Sequence, residues 1–260
     1  MRVDLETPET TAESHVPTLQ LTLVRHGQSD GNIREICQGS SPGYLTELGK
    51  AQAHALGLAL FSSADSVRYD ETWCSDLYRV RETCAIAHEA GNNMDNHASI
   101  VYSSLLREKH AGIFDGRPRT EMYAALTKSK QGRYFCPEGG ESWNHVQTRV
   151  RVFMDMLWKN ESGVASLDVG APRRVLVFTS GGVIKEFINA FVYQRGEDDP
   201  EYPNRVGNCS SFVFNMYSLT SRSDMIVENK GVSVSTEQPV SVTTIRKVPS
   251  SKKFQVKNGS

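Results

Sequence analysis

The sequence predicts an α/β domain of three layers, a mostly parallel central sheet with helices on both faces. Three observations predict it. Apolar runs of strand length at 19–24 and 175–178 each end abruptly at a polar residue followed by glycine. Segments with apolar residues at helical spacing alternate with such runs, the order expected of a sheet covered on both sides. With 260 residues and 38% hydrophobic content, one domain with excursions, or two small ones, can bury a sizeable core.

Residues 1–17, rich in Thr, Glu and Pro, read as a flexible leader, and the folded domain is expected over 18–220. Leu19, Leu21 and Leu23 alternate with polar residues before Val24 continues the run, a buried strand. Thr46 is a good N-cap for a helix carrying Leu48, Ala51, Ala55, Leu56 and Ala59, with Glu47 in the first turn where the helix dipole favours it. A short strand at 72–74 leads into Ser75-Asp76, either of which suits the cap of a helix bearing Leu77, Val80, Cys84 and Ala87. Residues 103–140 hold several Gly and Pro and only patchy periodicity, an insertion with a short helix near 120–126.

Ser142 opens the clearest helix, with Trp143, Val146, Val150, Phe153 and Leu157 on one face. A strand at 175–178 precedes a helix with Ile184, Phe187, Ile188 and Phe191. Phe212, Phe214 and Met216 alternate as in a strand. The extension 221–260 is expected to add edge strands near 232–234 and 240–245 and to end in a basic, mobile tail.

Composition narrows the function. A net charge of −1 gives no global attraction to nucleic acid or to a membrane surface. Five cysteines, widely spaced and without a Cys-x-x-Cys pair, argue against a disulfide framework or a zinc site and for a reducing compartment. No apolar run is long enough to span a bilayer, and the acidic N-terminus is unlike a targeting peptide. The expectation is a soluble cytoplasmic protein. Its oligomeric state is not legible.

The chemistry concentrates where strands are expected to end. Leu21-Thr-Leu-Val-Arg25-His26-Gly27 places a cation and an imidazole at the exit of a buried strand, the usual ligand position in an open α/β sheet. Arg79 falls in the first turn of a helix, where its charge opposes the dipole unless an anion also binds there. Glu108, in Leu106-Arg107-Glu108, is a candidate proton donor. Ser29, Asn32, Gln38 and Gly39 lie at or near the exit of the first strand, Gly181 follows the strand at 175–178, and Asn208 ends the charged loop 195–208. Each segment alone also reads as a plain loop, cap or solvated charge run.

Together, in this order, the segments resemble the histidine phosphatase superfamily, whose fold is that of phosphoglycerate mutase. The matching elements are Arg-His-Gly with Asn32 downstream, Leu-Thr-x-x-Gly at 45–49, Ser-Asp-Leu-x-Arg at 75–79, Leu-Arg-Glu at 106–108, Gly-Gly-Glu-Ser at 139–142, and a last strand ending in Gly-Gly. The Leu-Arg-Glu-x-x-x-Gly-x-x-Asp-Gly pattern and Asn208-Cys-Ser look most similar to the stand-alone fructose-2,6-bisphosphatases that restrain glycolysis. The resemblance implies a phosphatase without cofactor or metal. His26 would become phosphorylated, Arg25 and Arg79 would clamp the phosphoryl oxygens, and Glu108 would serve as acid and then base. Ser29, Asn32, Gln38, Gly39, Gly181 and Asn208 would line the substrate site, and a small sugar phosphate is the expected substrate.

One position departs from the pattern. Where the family carries a second histidine, this chain has Ser180 in Thr179-Ser180-Gly181-Gly182. A hydroxyl donates one hydrogen bond but carries no positive charge, and losing such a donor costs roughly 10²–10³ in rate. Three alternatives stand: a slow phosphatase, a phosphate-ester-binding protein with a regulatory or scaffolding role, or a His-to-Ser change made to trap a complex. The cations Lys109, Arg117, Arg119, Lys128, Lys130, Arg133 and Arg205 fall in the stretches expected to wall the pocket.

Overall fold

In the computed structural model the described residues are 18–62, 68–91, 100–159, 171–191, 206–218, 225–232 and 243–246. The expected leader, Arg205 and most of the expected tail lie outside them. Strands β1 (Leu19–Arg25), β2 (Glu71–Ser75), β3 (Val101–Ser103), β4 (Arg173–Thr179), β5 (Ser211–Ser218), β6 (Met225–Val232) and β7 (Thr243–Arg246) form one sheet in the order β3-β2-β4-β1-β5-β6-β7. Pairing is parallel from β3 to β1. It is antiparallel from β1 through β7. In the extension, β6 and β7 are described; the strand expected near 232–234 lies mostly outside the described residues, and that expected at 240–245 is described only from Thr243.

Helices α2 (Glu47–Phe61) and α3 (Tyr78–Ala90) cover one face, and α5 (Trp143–Trp158) and α6 (Gly181–Phe191) the other. The period of two decides which residue faces which layer. On β4, Val175 and Val177 join Leu21, Leu23, Val150, Phe153, Ile184 and Phe187 in one core. Leu176 and Phe178, on the opposite face, join Val24, Leu56, Val80 and Cys84 in the other. All four β4 side chains are fully buried, each worth roughly 1.5–3 kcal/mol relative to exposure. That is why the run is uninterrupted in the sequence.

Two local elements differ from expectation. The cap of α3 is Leu77, without a side-chain hydrogen bond, and neither Ser75 nor Asp76 caps it. Asp76 instead accepts two hydrogen bonds from Arg107, at 2.6 and 2.5 Å. A bidentate guanidinium is a stronger partner than a helix amide. A four-residue helix, α1 (Asp30–Ile33), is too short to show periodicity and was not foreseen. The insertion folds as α4 (Arg119–Ser129) with short 3-10 turns at 104–106, 112–114 and 132–134. Its Arg133 pairs with Glu186 of α6, which fastens the excursion to the domain.

Candidate active site

Parallel pairing brings the C-terminal ends of β1, β2, β3 and β4 to one edge of the sheet. Arg25 pairs in register with Thr179, and Ser75 with Ser103. The four segments singled out in the sequence leave that edge side by side. Arg25, His26, Arg79, Glu108, Gly181 and Gly182 line a common cavity of about 340 Å³.

His26 sits at the cavity floor with 3% exposure. Its Nδ1 lies 2.7 Å from the carbonyl of Gly27. A carbonyl only accepts, so Nδ1 carries the proton and Nε2 keeps its lone pair. Burial holds the imidazole pKa well below 6.5, and the Arg25 and Arg79 charges push it the same way. The ring is therefore neutral near pH 7. Its backbone is held on both sides: His26 N–H donates to Thr179 O at 3.0 Å, and Cys209 N–H donates to His26 O at 3.3 Å.

Arg79 is 1% exposed. Its Nη2 donates to the carbonyls of Gln38 (2.6 Å) and Gly39 (3.1 Å), and its Nη1 to that of Ser41 (3.4 Å). Its Nε has no hydrogen-bond partner among the described residues. Burial lowers its pKa, and the charges of Glu108, Asp115 and Asp30 oppose that shift. Arg25 donates from Nη1 to the carbonyl of Val206, which ties it to the 206–210 turn.

Glu108 bridges two segments. One carboxylate oxygen accepts from its neighbour Lys109 N at 2.9 Å, and the other from Gly182 N at 3.1 Å in the first turn of α6. A carboxylate suits the positive end of that helix. A Cβ on Gly182 would lie 2.2 Å from Glu108 Oε1, so the carboxylate reaches the amide only over glycine. Arg149 steadies the segment by donating to the carbonyls of Leu105 and Glu108 and pairing with Glu141. Glu141 in turn accepts from His110 N at 2.9 Å.

The remaining expected residues divide. Asn32, Gln38, Gly39 and Asn208 line the cavity. Asn208 Nδ2, however, donates to His26 O (3.1 Å) and Asn32 Oδ1 (3.0 Å), so its amide braces the His26 backbone. Gln38 spends its side chain on Ser29 (2.7 Å) and Asp30 (2.8 Å). Ser29 does not reach the cavity; it is fully buried, and its hydroxyl donates to Gln38. Ser180 does not reach it either. It is fully buried between β4 and α6, and its Oγ has no hydrogen-bond partner among the described residues.

The sequence also left cavity residues without a role. Trp143 packs against the core as its helical spacing predicts, and it also lines the cavity, with Lys109 Nζ 5.2 Å from its ring centroid. Lys185 reaches the cavity from α6, on the same side of the helix as Gly181. Its spacing of four from Gly181 was the available signal. Arg119, one of the cations expected to wall the pocket, does line it, together with Tyr123 and Met122 of α4. Arg117 pairs with Glu121 on the surface instead. Among the described residues no group of His, Cys, Asp and Glu is placed to hold a metal ion, and no helix is long and apolar enough to cross a membrane.

A cavity at the C-terminal edge of a parallel sheet, lined by guanidinium groups around a buried neutral imidazole, defines an α/β protein suited to hold a tetrahedral anion. The chain belongs to the histidine phosphatase superfamily, branch 1, whose family model matches residues 21–224. It is 34% identical over 140 residues to fructose-2,6-bisphosphatase TIGAR of Xenopus tropicalis, which covers 53% of this chain and 49% of that protein. It is 32% identical over 178 residues to a probable phosphatase of Schizosaccharomyces pombe, covering 68% and 76%. The chain thus spans about half the length of the TIGAR relative and three quarters of the yeast one. The solved structure titled Mycobacterial hydrolase 1 shares the fold at a TM-score of 0.66 and 24% identity, covering 83% of this chain and all of that one.

Proposed function

We propose that the protein hydrolyses phosphomonoesters through a phosphohistidine on His26, with a small sugar phosphate such as fructose 2,6-bisphosphate as substrate. The observation that carries this reading is the fixed tautomer of His26: Nδ1 is committed to Gly27 O in a cavity it shares with Arg25 and Arg79. Nε2 attacks phosphorus of an ester bound as its monoanion, the P–O bond to the leaving group breaks, and the ester's own proton passes through the Glu108 carboxylate to the departing oxygen. Water then attacks the phosphohistidine. Glu108 takes its proton, the P–N bond breaks, and phosphate leaves. Arg25, Arg79 and Asn32 hold the phosphoryl oxygens through both steps, since such transfers depend chiefly on positioning and charge stabilisation.

The sugar bisphosphate rests on the TIGAR relative and on the further cavity cations Lys109, Arg119 and Lys185, which suit a second anionic group. Incubation with a labelled phosphate ester, acid quench and peptide mapping test the mechanism. Acid-labile phosphate on His26, absent from His26→Ala, is the expected result. No label and no turnover on any ester would overturn it.

A second reading draws on Ser180, whose hydroxyl stays outside the cavity. The protein would then bind phosphate esters without turnover. Tight ester binding with no phosphohistidine, unchanged in Ser180→His, would favour it.

A further inference from the structure

Asp115 belongs to the insertion, and none of the roles above uses it. Its carboxylate accepts two hydrogen bonds from consecutive peptides of the 38–41 loop: Gly39 N–H to Oδ1 at 2.7 Å and Ser40 N–H to Oδ2 at 3.0 Å. The carbonyls of the same two peptide groups, Gln38 O and Gly39 O, accept from Arg79 Nη2. In a trans peptide the N–H and C=O point in opposite directions, and no cis peptide is present among the described residues. Fixing both N–H groups on Asp115 therefore aims both carbonyls at Arg79. Each peptide also becomes the middle link of a carboxylate–amide–guanidinium chain, in which each hydrogen bond polarises the next.

The packing leaves room for this relay only at a glycine. A Cβ on Gly39 would lie 2.7 Å from both Ala111 N and Lys109 O and 3.1 Å from Asp115 Oδ1. Gly39 thus lets the loop lie flat against the 109–115 segment. Among the described residues the hydrogen-bond acceptors of buried Arg79 are three carbonyls, and two of them are set by Asp115.

We propose that Asp115 is a positioning residue that holds the Arg79 guanidinium toward the cavity through the two peptide groups linking Gln38 to Ser40. The proposal rests on the reading that Arg79 grips the phosphoryl group.

A double-mutant cycle on the full chain tests it, with inorganic phosphate affinity measured by calorimetry in the parent, Asp115→Asn, Arg79→Gln and the double variant. Each single change is expected to weaken phosphate binding at least tenfold. The double variant should be within about threefold of Arg79→Gln, because Asp115 acts through that side chain. Parent-like affinity in Asp115→Asn, or losses that multiply in the double variant, would overturn the proposal while leaving the catalytic reading intact. Parent-like affinity in Arg79→Gln would overturn both.

Thermal unfolding separates a structural role. A lower midpoint with unchanged phosphate affinity counts against positioning. If Asp115→Asn does not fold, Asp115→Glu serves in the same cycle: it keeps the charge but displaces the oxygens, and should lose several-fold in affinity. Parent-like affinity there would again overturn the proposal.

Discussion

The Thr83 hydroxyl joins the two halves of the cavity floor: Gly27 N–H donates to it at 3.0 Å, and it donates to Arg79 O at 2.7 Å. Thr83 is fully buried, so no solvent replaces either bond. It registers the loop that carries His26 against the helix that carries Arg79. Thr83→Val keeps the shape and removes both bonds. It should cost about 1–3 kcal/mol through the orphaned Gly27 N–H and lower kcat about tenfold. Denaturant unfolding and steady-state kinetics check this. A stable variant with parent kinetics would show that the bridge is dispensable.

The buried imidazole makes stability depend on pH. The pKa of His26 in the folded chain is depressed well below the 6.5 of the unfolded one. The unfolded state therefore binds more protons as pH falls below about 6.5, and the folded state loses stability there. The slope is at most about 1.36 kcal/mol per pH unit from this group, until the folded state also protonates. Unfolding midpoints from pH 7.5 to 5 should fall more steeply in the parent than in His26→Gln, with the curves parallel above about pH 7. Curves parallel throughout would mean that His26 titrates normally.

Much of this was legible in the sequence because the sheet is buried on both faces. The run from Val175 to Phe178 has to be apolar throughout, and its polar stop at Ser180 marks the edge where ligands bind. Arg25 and His26 were found for that reason, whereas Arg79 and Glu108 were singled out by the resemblance of the ordered segments to the family. Residues that act through partners distant in sequence were not legible. Asp115 meets Gly39 across 76 positions, and Arg149 meets the carbonyl of Glu108 across 41. No local pattern encodes either contact. The α3 cap was misassigned because a distant arginine, Arg107, competes for Asp76. Ser29 looked like a ligand donor by position, but its neighbour Gln38 takes its hydroxyl.

Glu108 is assigned two successive tasks, and they can be separated by the leaving group. Nitrophenolate departs without a proton, so with 4-nitrophenyl phosphate the first step no longer needs an acid. Glu108→Gln should retain most of the burst that forms phosphohistidine and slow its hydrolysis by roughly 10²–10⁴. The intermediate should then accumulate, visible as stoichiometric nitrophenol release and stable label on His26. With a sugar phosphate, whose alkoxide needs protonation, the burst itself should disappear. Equal slowing on both substrates, without accumulated label, would remove the second task from Glu108.

Ser180 gives two predictions of opposite kind. Its Oγ is buried without a hydrogen-bond partner among the described residues, so it bears a desolvation cost that none of them offsets. Ser180→Ala should therefore leave stability unchanged or raise it by about 1 kcal/mol, with no loss of phosphatase rate. Ser180→His restores a donor that can carry charge beside the transferring phosphoryl group and should raise kcat/KM at least tenfold on a sugar bisphosphate. The imidazole has to turn from the core toward Arg25 and His26, so near-ultraviolet circular dichroism should accompany the kinetics to show that packing is intact. A folded Ser180→His variant at the parent rate would mean that the missing donor does not limit turnover. A slower Ser180→Ala would mean that the hydroxyl rotates into the cavity and contributes once substrate is bound.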